Sequence, residues 1–386
     1  MTSLPAPSPS AAEHSARVAA HLRAEIAAQG GWIPFSRFME LALYAPGLGY
    51  YSAGLHKFGT DGDFVTAPEI SPLFGRTLAR QAAQVLELSG GDILEIGAGS
   101  GRLALDLLRE LETLGRLPPH YLILEVSADL RQRQRQLLEQ QAPQLAERVS
   151  WLDALPDAFR GLIVANEALD AMPADLLVWR DGEVFERGVA WENETFQWQE
   201  RRLSTGALFE RAAQLPPASR SGEYLSEVAP AVAGFIASLA ERLEAGAMLL
   251  IDYGFGASEY YHPQRNQGTL MCHYRHLAHD DPLQLPGLQD ITAHVNFSAV
   301  AHSAIDAGLA LLGYTTQTHF LLNCGLTDLL AQTSPEDTAT YLPLAAQAQK
   351  LLSPAEMGEL FKVIALGKGI DQPLLGFRGG DKSRML

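Results

Sequence analysis

Apolar residues recur along this chain with different spacings, and each change of spacing marks an element. Val18, Leu22 and Ile26 fall four apart, which predicts a helix over 13–29 with one buried stripe, ended by Gly30-Gly31. A second short helix follows over 35–43, then an irregular stretch with Pro46 and three glycines. Helical spacing resumes over 73–88. From there compact apolar runs alternate with helical stretches: Ile93–Ile96, Tyr121–Glu125, Val149–Asp153, Gly161–Glu167 and Ala247–Tyr253 read as buried strands, with helices at 103–108, 129–141 and 230–243 between them. Such alternation predicts an α/β fold with a doubly wound, mostly parallel sheet and a site at the C-terminal strand ends. From Leu176 the pattern becomes two-residue alternation around Asp181-Gly182, an antiparallel hairpin to about residue 203. Residues 254–297 read as irregular and 298–312 as a helix. Residues 314–321 and 361–366 read as the last two of seven strands, with a helical insertion between them.

The domain reading follows: a flexible tail at 1–12, a helical and loop segment at 13–90, a main domain at 91–368 with insertions 176–228, 254–297 and 326–360, and a polar tail at 369–386. At 386 residues and 47% hydrophobic content, one large core or two smaller ones can be buried. No apolar run reaches eighteen residues and Met1–Ser10 lacks a secretory pattern, so a cytoplasmic protein without a membrane span is expected. Cys272 and Cys324 stand 52 residues apart and read as reduced thiols. A net charge of −16 argues against nucleic acid as partner. It suits a basic partner, or simply solubility. Arg131, Arg133 and Arg135, separated by glutamines, read as a solvated helix face.

The chemistry centres on Glu95-Ile96-Gly97-Ala98-Gly99-Ser100-Gly101, a strand passing through alternate glycines into a helix. Counted from Gly97 a dinucleotide fingerprint fails at Arg102, and counted from Gly99 it passes weakly with Ala104. Glu95 weighs against a pyrophosphate and suits a ligand carrying an ammonium and a sulfonium. Glu125, 28 residues beyond Gly97, suits a ribose diol, and Asp153 an adenine amino group. Three acids on successive strand ends form a more specific pattern than the glycines, although each alone reads equally as a turn or cap residue.

Five ordered stretches, Gly62–Ser71, Leu94–Gly101, Ala165–Pro173, Ile251–Gly254 and Asp290–Val295, resemble the MidA family of class I S-adenosylmethionine (SAM)-dependent methyltransferases, over about 35–369. The resemblance implies the seven-stranded class I (Rossmann-like) sheet, SAM as methyl donor and, for the family's mitochondrial members, symmetric dimethylation of an arginine on a complex I subunit. One departure is Asn296, where the family pattern has Asp after His294-Val295.

The cofactor set is therefore Glu95, Gly97, Gly99, Gly101, Glu125, Asp153, Asn166 and Thr66. A guanidinium has a pKa above about 12, so carboxylates must grip it and leave one nitrogen facing the methyl group. Glu167 and Asp170, with Glu227, form the acid side of the catalytic set, and Asp252 is a further acid. His294 reads either as a group that orients substrate or takes up the surplus proton, or equally as a hydrogen-bonded structural histidine. Asp170 reads equally as a helix cap and Glu227 as a surface residue. Cys272, His273, His276 and His279 lack a zinc-like geometry, so no metal is expected. The expected activity is SAM-dependent methylation of arginine in a protein with an accessible basic segment. An assembly factor that retains the cofactor fold, a small-molecule methyltransferase and, more remotely, an NAD oxidoreductase stay open.

Overall fold

The computed structural model describes residues 4–53, 66–215 and 222–386, and the chain divides into two units. One contains 65–169, 233–256 and 295–386; the other contains 1–64, 170–232 and 257–294. The expected continuous segment 13–90 is thus divided between them, and the insertions after the fourth and fifth strands join the N-terminal residues.

The first unit is built on seven strands: β1 (Asp92–Ile96), β2 (Tyr121–Leu124), β3 (Val149–Leu152), β4 (Phe159–Asn166), β5 (Leu243–Phe255), β6 (Ala310–Thr316) and β7 (Phe361–Lys368). They lie in the order β6-β7-β5-β4-β1-β2-β3, with a two-residue strand, Val295–Asn296, beside the end of β5. Strand β7 runs antiparallel to β5 and β6, while β1 to β5 pair in parallel. The order reverses between β1 and β4, the position at which a doubly wound sheet opens a crevice at its carboxyl ends. Ile93 and Leu94 of β1 and Ala247–Ile251 of β5 are buried, which explains why these strands read as continuous apolar runs. Helices α1 (Pro72–Ser89), α2 (Arg102–Thr113) and α3 (Ala128–Gln141) accompany them. Ser71 and Ser127 cap α1 and α3 by accepting from the amides of Leu73 and Leu130.

Three expectations in this unit need correction. The helix expected over 298–312 spans only Phe297–Asp306, because Gly308 (φ 85) ends it and β6 begins at Ala310. Strand β6 in turn ends at Thr316, whose side chain caps a helix over Gln317–Asn323. Residues 369–386 are no polar tail throughout: Ile370, Leu374 and Phe377 enter the main core, with the Phe377 ring 5.6 Å from that of Phe320.

The second unit carries an antiparallel sheet of Trp32–Pro34, Glu183–Glu192, Asp175–Arg180 and Tyr224–Val228, with Thr195–Leu203 paired to Glu183–Glu192. Asp181 and Gly182 both have positive φ (53° and 80°), as a tight hairpin turn requires. Val18, Leu22 and Ile26 of the first helix, which begins at Pro9, pack in this unit's core with Phe35 and Phe38. Phe196 lies 5.5 Å from Phe38 and 4.8 Å from Trp191, so the hairpin aromatics pack. Residues 254–297, expected to be irregular, include a three-stranded sheet of Met271–Tyr274, Leu277–His279 and Asp290–Thr292.

Candidate functional site

Strand β1 delivers Glu95 into the sheet and then the glycine loop at its end. Gly97, Gly99 and Gly101 have φ of 67°, 54° and 86°, a region that favours glycine. A Cβ built on Gly97 meets only the Ala168 Cβ, at 3.9 Å, so open space borders the first glycine. A Cβ on Gly101 would press on Gln134 at 3.2 Å, so this glycine lets α2 approach α3. The Ser100 hydroxyl donates to Glu69 Oε1 and accepts from the Arg102 amide, which ties the loop to the helical turn Ala67–Ile70. Thr66 is the residue before that turn and makes no side-chain cap bond. Gly62 to Val65 lie outside the described residues.

Glu95 is buried, and its Oε2 accepts from the Tyr121 hydroxyl at 2.7 Å. Burial lifts its carboxyl from the ordinary 4.5 to about 7; the Tyr121 bond works against this, and the Glu125 charge adds to it. The folded state therefore holds this proton more tightly than the unfolded chain does. The resulting penalty is absent below about pH 4.5 and grows to its full size above about pH 7, so stability declines as pH rises between them. Glu95→Gln is expected to flatten that decline and raise the melting temperature above about pH 7, by up to about 3 kcal/mol in stability, as thermal scans from about pH 5 to about pH 8 will read. The same variant is expected to bind a cationic ligand more weakly.

Glu125, just past β2, is also buried. Its Oε1 accepts from the Ser127 amide at 3.0 Å and its Oε2 from Gln134 Nε2 at 3.2 Å. Val126, the next residue, is 73% exposed, an apolar side chain left open beside a buried acid. Sequence reasoning passed over it; an apolar residue directly after a strand-end acid is the signal that would have found it. Asp153 differs from the other two acids. Its carboxylate is 92% exposed and pairs with Arg131 at 2.7 Å. Arg131 also donates to the carbonyls of Glu125 and Leu152, and the Arg135 guanidinium lies 4.8 Å from the Trp151 ring centre. Arg131 thus braces two strand ends, contrary to its reading as part of a solvated face, while Arg135 stays exposed as expected.

Asn166 ends β4 with its Oδ1 buried and without a partner among the described residues. Glu167 follows at φ 52°, its amide donating to the Ile251 carbonyl. Its Oε1 accepts from the Ala67 amide at 3.3 Å and from Asn166 Nδ2 at 3.0 Å. Asp252, fully buried on β5, accepts from the amides of Leu169 and Tyr253 and so pins the segment after Glu167. All eight expected cofactor residues and Glu167 belong to this one unit.

Asp170, Glu227 and His294 belong to the other. Asp170 is buried, and its carbonyl accepts from the Ala293 amide; it caps no helix. Glu227 is no surface residue either. Four donors serve its carboxylate: the Thr269 amide (2.7 Å), the Leu270 amide (3.0 Å), the Thr269 hydroxyl (3.0 Å) and the Tyr260 hydroxyl (3.3 Å). Burial raises its pKa against those bonds, and this donor set gives it an anchoring role on segment 268–270 in place of a substrate-gripping one. The His294 amide donates to Thr269 Oγ1 at 3.1 Å. Cys272 is buried opposite His279, and burial pushes its thiol up. Among the described residues no group of three or more His, Cys, Asp or Glu could hold a metal ion.

Comparison with known proteins decides among the ligands this arrangement allows. Residues 77–315 match the profile of a family of S-adenosyl-L-methionine-dependent methyltransferases. The chain belongs to this MidA-like family. A Burkholderia thailandensis protein solved bound to S-adenosyl-homocysteine is 52% identical, with a TM-score of 0.96 and 100% of both chains covered. The Drosophila melanogaster protein arginine methyltransferase NDUFAF7 homolog, mitochondrial, is 29% identical over 93% of this chain and 88% of its own length. Its human counterpart is 28% identical, with 90% and 82% covered. The protein is thus a SAM-dependent methyltransferase with the Rossmann-like class I fold. Asn296 Oδ1 accepts from the Ala299 amide and caps the helix beyond, a role that Asp fills equally well.

Proposed function

We propose that this methyltransferase acts on arginine in a protein substrate. The observation that carries the reading is Glu167, a half-buried carboxylate at the end of β4 that the Ala67 amide and Asn166 orient. The relatives named protein arginine methyltransferases, matched over most of their length, support it. SAM, when bound, supplies an electrophilic methyl group on a sulfonium. The structure suits such a ligand: open space borders Gly97, the Glu95 carboxyl is lifted to about 7 and stands to gain from a cation, and Glu125 offers a buried carboxylate for hydroxyls. Glu95, Gly97, Gly99, Gly101, Glu125 and Asn166 would hold it. Thr66 stands at the turn next to them, and Asp153 contributes from an exposed rim.

Glu167 accepts the N–H groups of the substrate guanidinium and limits the directions in which its nitrogens point. Its charge compensates the cation as water leaves the site. The methylated guanidinium then sheds its surplus proton to solvent. The test is incubation with SAM and an arginine-containing basic peptide or its lysine-substituted twin, followed by tandem mass spectrometry. Methyl groups on the arginine peptide alone are expected; equal transfer to the lysine twin contradicts the arginine assignment.

A further inference from the structure

Helix α3 is rich in Gln and Arg, yet one of its glutamines is fully buried. Gln134 has no exposed surface, and each polar atom of its amide has a partner from a different part of the cofactor side. Its Nε2 donates to the Gly99 carbonyl at 2.9 Å and to Glu125 Oε2 at 3.2 Å. Its Oε1 accepts from Trp151 Nε1 at 2.8 Å. Its Cα lies 3.2 Å from where a Cβ on Gly101 would stand, so α3 fits against the glycine loop at that point. One side chain thus joins the loop after β1, the acid after β2 and the body of β3.

We infer that Gln134 is a positioning residue for cofactor selection, holding the Glu125 carboxylate and the glycine loop in one register and thereby setting the preference for an intact ribose diol. Only an amide meets the demand at this position. Two acceptors and one donor face it, and an amide supplies two N–H donors and one carbonyl acceptor in one plane. A carboxylate here would face Glu125 as a like charge. An apolar side chain of the same length would strip hydrogen bonds from Glu125, Gly99 and Trp151 together, and unmet bonds at buried groups are expensive. Glu125 then has one donor fewer fixing its orientation, and with it goes discrimination between a ribose and a deoxyribose. The inference rests on the reading of Glu125 as the ribose acid, and it goes beyond that reading in assigning the control of Glu125 to Gln134.

The experiment is calorimetric titration of Gln134→Met, Gln134→Glu and Glu125→Gln with S-adenosyl-homocysteine and with its 2′-deoxy analogue, alongside melting temperatures. Wild type is expected to prefer the intact ribose. Gln134→Met is expected to lose on the order of tenfold affinity for S-adenosyl-homocysteine and little for the deoxy analogue, so that the preference collapses. Gln134→Glu is expected to bind weakly at about pH 8 and recover toward about pH 6, as a proton shared with Glu125 restores one donor, with no matching recovery in wild type. Gln134 variants that melt lower yet keep the wild-type preference and pH profile would overturn the inference and leave the residue a packing element. Unchanged affinity and preference in Glu125→Gln would instead overturn the ribose reading beneath it.

Discussion

Replacing Gly97 by valine is expected to abolish S-adenosyl-homocysteine binding in calorimetry while the protein stays folded. Gly97 sits at φ 67°, where a β-branched residue is a genuine outlier with strain of order 1–3 kcal/mol. The side chain itself meets little protein, since its first atom would find only the Ala168 Cβ at 3.9 Å. A domain with this much buried core absorbs such strain with a melting temperature lower by a few degrees, roughly 2–4 °C for each kcal/mol. The ligand has no such tolerance. The space that would receive the valine methyls is the space in which the proposed cofactor would lie, and the strain would pull on the Gly97 amide that donates to the Leu124 carbonyl. Affinity is expected to fall by on the order of 100-fold or more, equivalent to about 3 kcal/mol. Retained affinity would mean that the glycine loop only packs, and that the donor binds elsewhere.

Glu167→Gln is expected to produce the other large effect, on transfer instead of binding. Glutamine keeps the shape of the side chain and an oxygen for the Ala67 amide and Asn166, so the fold and S-adenosyl-homocysteine affinity should stay close to wild type. It removes the charge proposed to hold a guanidinium. Truncating one side of a buried charge pair takes away about 2–5 kcal/mol, so the transfer rate is expected to drop by on the order of 100-fold or more in single-turnover assays. A rate within about threefold of wild type would remove Glu167 from the acceptor grip, since that is less than 1 kcal/mol.

The sheet and the donor loop were largely readable from sequence because both depend on local pattern. Apolar runs over β1, β4 and β5 announce strands buried on both faces, and three alternate glycines announce a backbone with positive φ. What could not be read depends on contacts distant in sequence. Gln134 and Arg131 lie in a helix of Gln and Arg that looks solvated. Only the fold brings Gly99, Trp151 and Asp153 to them, from 35, 17 and 22 residues away. The misplaced end of the helix before β6 has a different origin. Leu309 to Leu312 is an apolar run too short for periodicity to assign, and the Gly308 stop decides it. Glu227 looks like a catalytic acid in a list of acids; its four donors, three of them from residues 269–270, make it an anchor.

Arginine as methyl acceptor is the claim on which the account turns, and label transfer tests it most directly. Purified protein is incubated with methyl-labelled SAM and lysate from a strain lacking it, and labelled species are located by mass spectrometry with Glu167→Gln as control. Label on arginine of a discrete protein, lost in the variant, is the predicted result. Label confined to small molecules or to other amino-acid types would contradict it.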